Sequence, residues 1–267
     1  MPIKTMFKPR CISDADFSKI DFQTMRLAFD IQNEMGRFWS EDIYRNELAY
    51  RCREAGFEKV DIEVPIEVWF KDFAKTYFID LLVNDAIVYE LKTVEAFTGE
   101  HKNQVLNYLF LAGLNHGKLI NMRPPLVKSE FVSTRISTEK RFDFTIEDAA
   151  WKTLDEDCAW LKQLLGDLLL EWGAFLDIHL YYDAINHFRG GEENVVKTIN
   201  ALNGERTIGD QKTHLLNEGV AFKITAIIKD QHKHEEQLCK FIRFTSLKAI
   251  QWINFNRDHI TFKTIFR

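Results

Sequence analysis

The sequence predicts an α/β chain made of two similar halves. Three observations carry this expectation. Apolar residues alternate with polar ones at Val60, Ile62, Val64, Ile66, Val68 and Phe70, the period of a half-buried strand. Patterns of helical period stand on both sides of that run. The order of elements in the first half then returns in the second.

Taken in order, residues 1–20 are polar and are expected to be extended. A helical pattern runs from about Phe22 to Asn33. A second runs from about Ser40 to Ala55, with Ser40 placed as N-cap and Gly56 at the stop. Pro65 inside the alternating run marks an edge or a break. A strand over Tyr77–Val83, a turn at Asn84-Asp85-Ala86 and a strand over Ile87–Lys92 follow. Glu100–Leu114 reads as a helix, and Lys118–Asn121 and Val127–Ser137 as strands. The Leu- and Trp-rich stretch Ile146–Trp172 is expected to be a long helix linking the halves. The organisation predicted is a domain over 1–140, a helical linker over 141–172 and a second domain over 173–267.

Composition narrows the class. At roughly 150 residues per domain, 267 residues give one large or two small domains. A hydrophobic content of 46% with 28% charged residues fits a soluble globular chain and excludes a collagen-like or disordered one. Twenty-two Phe predict a sizeable packed core. The net charge of −5 gives no global basic character, so any nucleic-acid contact has to come from a local groove. No apolar run reaches membrane-spanning length, and Met1-Pro2-Ile3-Lys4 opens without an apolar signal region, so a cytoplasmic location is expected. Cys11, Cys52, Cys158 and Cys239 are widely spaced with no CxxC, which favours neither a zinc knuckle nor a disulfide framework.

Sliding the chain against itself by 133 residues superposes Val88–Met122 on Ala221–Phe255 without a gap. His101/His234, Gln104/Gln237, Leu114/Leu247, Ile120/Ile253 and Asn121/Asn254 are identical. Upstream, Asp80-Leu81-Leu82 meets His214-Leu215-Leu216 if one turn residue is deleted, or Thr213 meets Asp80 if none is. Gly36 aligns loosely with Gly173. An internal duplication is expected.

Three charges interrupt apolar β-rich runs: Asp80, Glu90 and Lys92. Period two puts Glu90 and Lys92 on one face of their strand. With a three-residue turn, Asp80 falls opposite Glu90. Two carboxylates facing each other across a ladder repel, unless a cation lies between them. Mg²⁺ is commonly held by one or two carboxylates together with phosphate oxygens and water. Lys92, on the same face, is suited to holding a phosphate or orienting a water. A helical projection puts Glu41 on a stripe with Tyr44, Leu48 and Cys52, so a third acid points with the apolar face. Gln104 and Tyr108, four apart, share a helix face and are candidates to bridge phosphate, water or Lys92.

Asp80, nine residues, then Glu90-x-Lys92, after a helix bearing Glu41, resembles the PD-(D/E)xK nuclease superfamily. More closely, Gly36-Arg37-Phe38-Trp39-Ser40-Glu41-Asp42-Ile43-Tyr44, Ile79-Asp80-Leu81-Leu82-Val83, Tyr89-Glu90-Leu91-Lys92, Gln104-Val105-Leu106-Asn107-Tyr108-Leu109 and Leu119-Ile120-Asn121 resemble the bacterial GxxExxY proteins of that superfamily. The likeness covers about residues 22–138. It departs where Phe38 stands three before Glu41 in place of glycine. It implies a restriction-endonuclease-like core, a mixed central sheet flanked by helices, and Mg²⁺- or Mn²⁺-dependent hydrolysis of a nucleic acid, DNA foremost. It implies metal ligation by Glu41, Asp80 and Glu90, and catalysis by these three with Lys92. Tyr44, Gln104 and Tyr108 take supporting or substrate-binding places.

The second half lacks the acids: Glu90 becomes Lys223, Lys92 becomes Thr225, and Asp80 becomes His214 or Thr213. It is expected to be a degenerate copy that binds substrate or imitates a homodimer partner, giving a monomeric pseudo-dimer or a homo-oligomer. Lys212, Lys223, Lys229, Lys233, Lys240, Arg243 and Lys248 can form only a local basic patch, since residues 141–267 carry 16 Lys and Arg against 19 Asp and Glu. His232, His234 and Cys239 form a tempting metal triad, but an HxH in a polar segment without a fourth ligand is ordinarily solvated. The bland reading of Asp80, Glu90 and Lys92 is an edge hairpin with a surface ion pair. The competing functions are a non-catalytic nucleic-acid-binding module and an accessory interaction protein.

Overall fold

In the computed structural model, which describes residues 2–267, the chain folds as two compact units, residues 2–140 and Arg141–Arg267. Each holds one six-stranded mixed sheet flanked by helices, a mixed α/β architecture consistent with a restriction-endonuclease-like core. No helix among the described residues is long and apolar enough to cross a membrane.

The first unit starts with β1 (Ile3–Thr5) and α1 (Asp14–Met35). The extended reading of residues 1–20 therefore fails from Asp14 onward. Ser13 is the N-cap, its hydroxyl accepts the Asp16 amide, and Asp14 and Asp16 favour the positive helix end. The polar start hid an amphipathic helix whose Phe17, Leu27, Ala28 and Ile31 are buried. Gly36, at φ 79°, ends it. The second helix, α2, spans Glu41–Glu54 behind Ser40.

Three antiparallel strands follow: β2 (Val60–Phe70), β3 (Phe73–Val83) and β4 (Ile87–Lys92). Pro65 does not break β2, because β1 covers only Ile66–Val68 of that edge. The turn at 84–86 holds Asn84 and Asp85 at φ 56° and 52°, a left-handed conformation those two residues tolerate. It fixes Val83 opposite Ile87. Helix α3 (Gly99–Ala112) then carries the chain to β5 (His116–Asn121), parallel to β4, and β6 (Lys128–Ser133) closes the sheet. Leu81, Val83, Ile87, Tyr89 and Leu91 pack with α1 and α2 in one core. By the pleat, Val88, Glu90 and Lys92 face the other way, the side on which α3 lies against Gly117.

The second unit contains β7 (Thr145–Glu147), α4 (Glu156–Trp172), α5 (Ile178–Phe188), α6 (Glu192–Val195), β8 (Val196–Asn203), β9 (Arg206–Asn217), β10 (Val220–Thr225), α7 (Gln231–Arg243), β11 (Ala249–Asn256) and β12 (His259–Phe266). The segment 141–172, expected as a linking helix, is part of this unit. Only Glu156–Trp172 is helical there, and Leu161, Leu165, Leu168, Leu169 and Trp172 are fully buried.

From β8 to β12 the topology repeats that of β2 to β6: two antiparallel steps, a helical crossover to a parallel strand, then an antiparallel return. Ile87 pairs with His116 in one sheet and Val220 with Ala249 in the other, the same register 133 residues on. Two side-chain clamps repeat as well. Asn121 accepts from the Val94 amide and donates to the Val94 carbonyl, and Asn254 does the same with Ile227. Tyr44 donates its hydroxyl to the Gly36 carbonyl at 2.7 Å, as Tyr181 does to Gly173 at 3.0 Å.

Candidate active site

The acids gather where the first sheet opens. β3 pairs with β4 as far as Leu81 and Tyr89, one residue short of Asp80 and Glu90. On its other side β3 pairs with β2 at Leu81 and Ile79 but skips Asp80, whose counterpart Glu63 sits at φ 50°. Such left-handed backbone at a non-glycine residue is costly and tends to mark functional positions. The Asp80 side chain takes over from the ladder: its Oδ2 accepts the Leu91 amide at 2.9 Å. The three-residue turn thus gives the register the sequence implied, and Asp80 lies beside Glu90.

Glu90 is 1% exposed. One carboxylate oxygen accepts Lys92 Nζ at 2.6 Å, and the other is buried without a hydrogen-bond partner. Burial, then the nearby Asp80 charge, push its pKa up to about 7. Burial likewise raises Asp80, against the Leu91 amide and the Lys92 and Arg45 charges. Lys92 loses hydration too, but Glu90, Glu41 and Asp80 together outweigh that and hold its pKa above the ordinary lysine value.

Glu41 reaches the end of β4 from the first turn of α2. Its Oε1 accepts the Thr93 amide at 3.1 Å and its Oε2 lies 3.7 Å from Lys92 Nζ. Gln104 donates to the Tyr108 hydroxyl at 2.8 Å. Burial, then Glu90, raise that phenol's pKa, which places Tyr108 in the field of the acids. The structure therefore brings together Glu41, Asp80, Glu90, Lys92, Gln104 and Tyr108. Tyr44 stands apart: its hydroxyl is engaged with Gly36 and its ring is buried between the first two helices and the sheet. It braces the helix joint, which is a departure from the supporting place expected for it at the site.

Two cations at the site escaped the sequence reading. Arg45 lies 3.8 Å from Asp80 and 3.1 Å from Glu63. Its spacing of four from Glu41 was the available signal. Arg123 donates to the Thr93 carbonyl at 3.4 Å, and its guanidinium, like that of Arg37, lies over the Phe38 ring. Phe38 itself is 75% exposed, so the residue standing where glycine was expected presents an aromatic face to solvent beneath two guanidinium groups.

Among the described residues, no three Asp, Glu, His or Cys side chains are grouped to hold a metal ion. In this arrangement Lys92 pairs with Glu90 and Glu41, and Arg45 neighbours Asp80. The donor chemistry of a two-acid site is nonetheless present. Asp80 and Glu90 are adjacent carboxylates at the carboxyl end of a parallel strand, and one Glu90 oxygen has no partner. Mg²⁺ is commonly held by one or two protein carboxylates, with water and phosphate oxygens completing its shell. The His232–His234–Cys239 triad is not a metal group either. His232 is exposed on α7 and lies 3.8 Å from Glu236, while His234 packs against Trp252.

In the second unit a bulge between Val220 and Ala221 places Leu215 opposite Ala221. That register puts Thr213, not His214, at the position of Asp80, and Lys223 at that of Glu90. Ile224, the counterpart of Leu91, has lost its carboxylate acceptor. The Tyr182 hydroxyl takes its amide instead, at 2.7 Å, from the helix position where the first unit has Arg45.

This fold and this acid–lysine cluster define the class as a mixed-sheet α/β unit with carboxylates at its opened hairpin. Residues 18–136 match the family model described as PD-(D/E)XK nuclease superfamily. No curated protein matches the chain. A solved structure titled "Crystal structure of SSO0001" is 18% identical, with a TM-score of 0.29, over 45% of this chain and 58% of that one. The similarity thus spans little more than half the length of that protein.

Proposed function

We propose that the first unit is a metal-dependent nuclease that hydrolyses phosphodiester bonds of DNA. The observation that carries the reading is Glu90, a buried carboxylate next to Asp80, with one oxygen held by Lys92 and the other unpartnered. Asp80 and Glu90 are assigned to hold Mg²⁺ or Mn²⁺, with Glu41 at the rim of the same site. When bound, such an ion polarises a phosphoryl oxygen and lowers the pKa of a coordinated water.

The chain's own groups do the rest. Lys92 Nζ, released from Glu90, neutralises charge that builds on the phosphate oxygens. Glu41 ties the Thr93 amide and keeps the Lys92 ammonium directed along β4. Gln104 and Tyr108 limit the far wall through their mutual hydrogen bond. The Phe38 face, with Arg37 and Arg123, gives a basic aromatic surface suited to a nucleic-acid strand. The closer kinship to GxxExxY proteins belongs to this reading and is supported by Glu41 reaching the acids from α2.

The second unit is read as a degenerate duplicate. The common register, the repeated asparagine and tyrosine clamps and the replacement of the Asp80 contact by Tyr182 support descent from one ancestral unit.

A cleavage panel tests the activity: supercoiled plasmid, linear duplex, single-stranded DNA and RNA, each with Mg²⁺, Mn²⁺ or EDTA. The wild type is expected to cut DNA only with metal, and Lys92→Ala and Glu90→Ala are each expected to cut nothing. Residual cutting with both changed would put a second site in the other half. Folded wild type that cuts no substrate would overturn the reading.

A further inference from the structure

The second unit keeps a cleft where the first has its acids. It lies between β9, β10 and α7, has a volume of about 500 Å³, and is within the size range of small-molecule sites. Its chemistry is inverted. Lys223 stands where Glu90 stands in the first unit, and Lys212 and Lys240 line the same cavity. Among the described residues none of the three makes an ion pair, whereas nearby Lys233 and Lys263 pair with Asp230 and Glu235 at 2.8 and 2.7 Å. Among the described residues no carboxylate lines the cavity. Three ammonium donors on one cavity wall, with no carboxylate competing for them there, suit an anionic ligand.

Two further features shape the anion. His234 lies in the wall with its Nε2 buried and unpartnered, and burial followed by the Lys223 charge lowers its pKa, so the ring is available as a neutral hydrogen-bonding group. Gln237, the retained counterpart of Gln104, adds an amide to the same wall. Phe244 is half exposed at the rim, placing an aromatic face beside the positive charge. Aromatic faces stack bases, and lysines bind phosphate as point charges.

We propose that this cleft is a metal-free binding site for the phosphate of a nucleotide unit, with Lys212, Lys223 and Lys240 on the phosphate and Phe244 against the base. The proposal goes beyond cleavage by the first unit and does not depend on it. The phosphate has two possible sources, a nucleic-acid strand or a free nucleotide.

The test is carried out on the full chain in EDTA, with no cleavage read. Fluorescein-labelled d(T)₁₂ is titrated by anisotropy, and thymidine 5′-monophosphate by calorimetry. The variants are Lys223→Glu and Lys223→Gln. Lys223 is exposed, so both are expected to fold, which circular dichroism checks. The wild type is expected to bind without metal, and Lys223→Glu to weaken binding at least tenfold. Lys223→Gln is expected to fall between them and to lower the salt slope for d(T)₁₂ by roughly 0.7, the value for one phosphate contact on a single strand. Loss for both probes identifies a free-nucleotide site, and loss for d(T)₁₂ alone identifies a strand site. The proposal is overturned if the wild type binds neither probe in EDTA. It is equally overturned if Lys223→Glu binds like the wild type, or if polyglutamate of equal charge competes as well as d(T)₁₂.

Discussion

Replacing Glu90 by Gln should flatten the stability of the first unit against pH. Glu90 is buried next to Asp80 and its pKa rises from 4.5 to about 7. Between those values the folded chain holds a proton that the unfolded chain has released. Stability supplied by that proton is complete below the unfolded value and is lost as pH climbs through the folded one. A shift of this size is worth about 3 kcal/mol in full, of which about 2.5 kcal/mol falls between pH 5 and 8. Gln keeps the shape and can accept the Lys92 hydrogen bond through its carbonyl, but has no proton to lose. Removing the Glu90 charge also deprives Lys92 of a partner. Lys92 stays charged across this range, so that effect is a constant offset and leaves the slope alone. The assay is urea unfolding in EDTA from pH 5 to 8, read by pulse proteolysis on peptides from residues 1–140. The wild type should lose about 2–3 kcal/mol relative to Glu90→Gln as pH rises. Parallel curves for the two proteins would refute the buried, proton-holding carboxylate.

Arg45→Ala removes a cation 3.8 Å from Asp80, so the Asp80 pKa should rise further, and the acid limb of the cleavage pH profile should move to higher pH. An unmoved limb would mean that Arg45 does not act through Asp80. Tyr44→Phe and Tyr181→Phe each remove one hydroxyl bond to a glycine carbonyl and should each cost about 1 kcal/mol. Tyr44→Phe should leave cleavage per folded molecule unchanged, because that hydroxyl is engaged at the helix joint. Gly117→Ala would put a Cβ 2.6 Å from Val105 Cγ1 and 3.2 Å from the Val88 carbonyl. It should destabilise by about 1–3 kcal/mol through overpacking, measured by the same proteolysis.

Much of the site was legible because it rests on local rules. The strand Ile87–Lys92 and its turn follow from alternation and from an Asn-Asp pair able to adopt left-handed backbone, and these together place Asp80 beside Glu90. The asparagine and glycine matches across the halves were visible as spacing. Less legible was the start of α1, where the capping signal Ser13-x-x-Asp16 was outweighed by a polar segment. The linking helix was overextended for the opposite reason: an apolar Leu-rich run gave period but no boundary until Asp155 capped it.

Alternation and turns were readable from neighbours within a few positions, and the acids missing from the second half from the constant offset of 133 residues. The rest came from contacts between distant parts of the chain. Arg45 pairs with Asp80 and Glu63, and Lys92 with Glu90 and Glu41, partners set by how α2 packs on β3 and β4. A bulge in β9 and β10 selects Thr213 over His214 as the counterpart of Asp80. Three lysines scattered along the second half meet in one cavity that, among the described residues, no carboxylate lines. These outcomes depend on register and on contacts between residues distant in the chain, where a one-residue slip in a strand reverses every side chain.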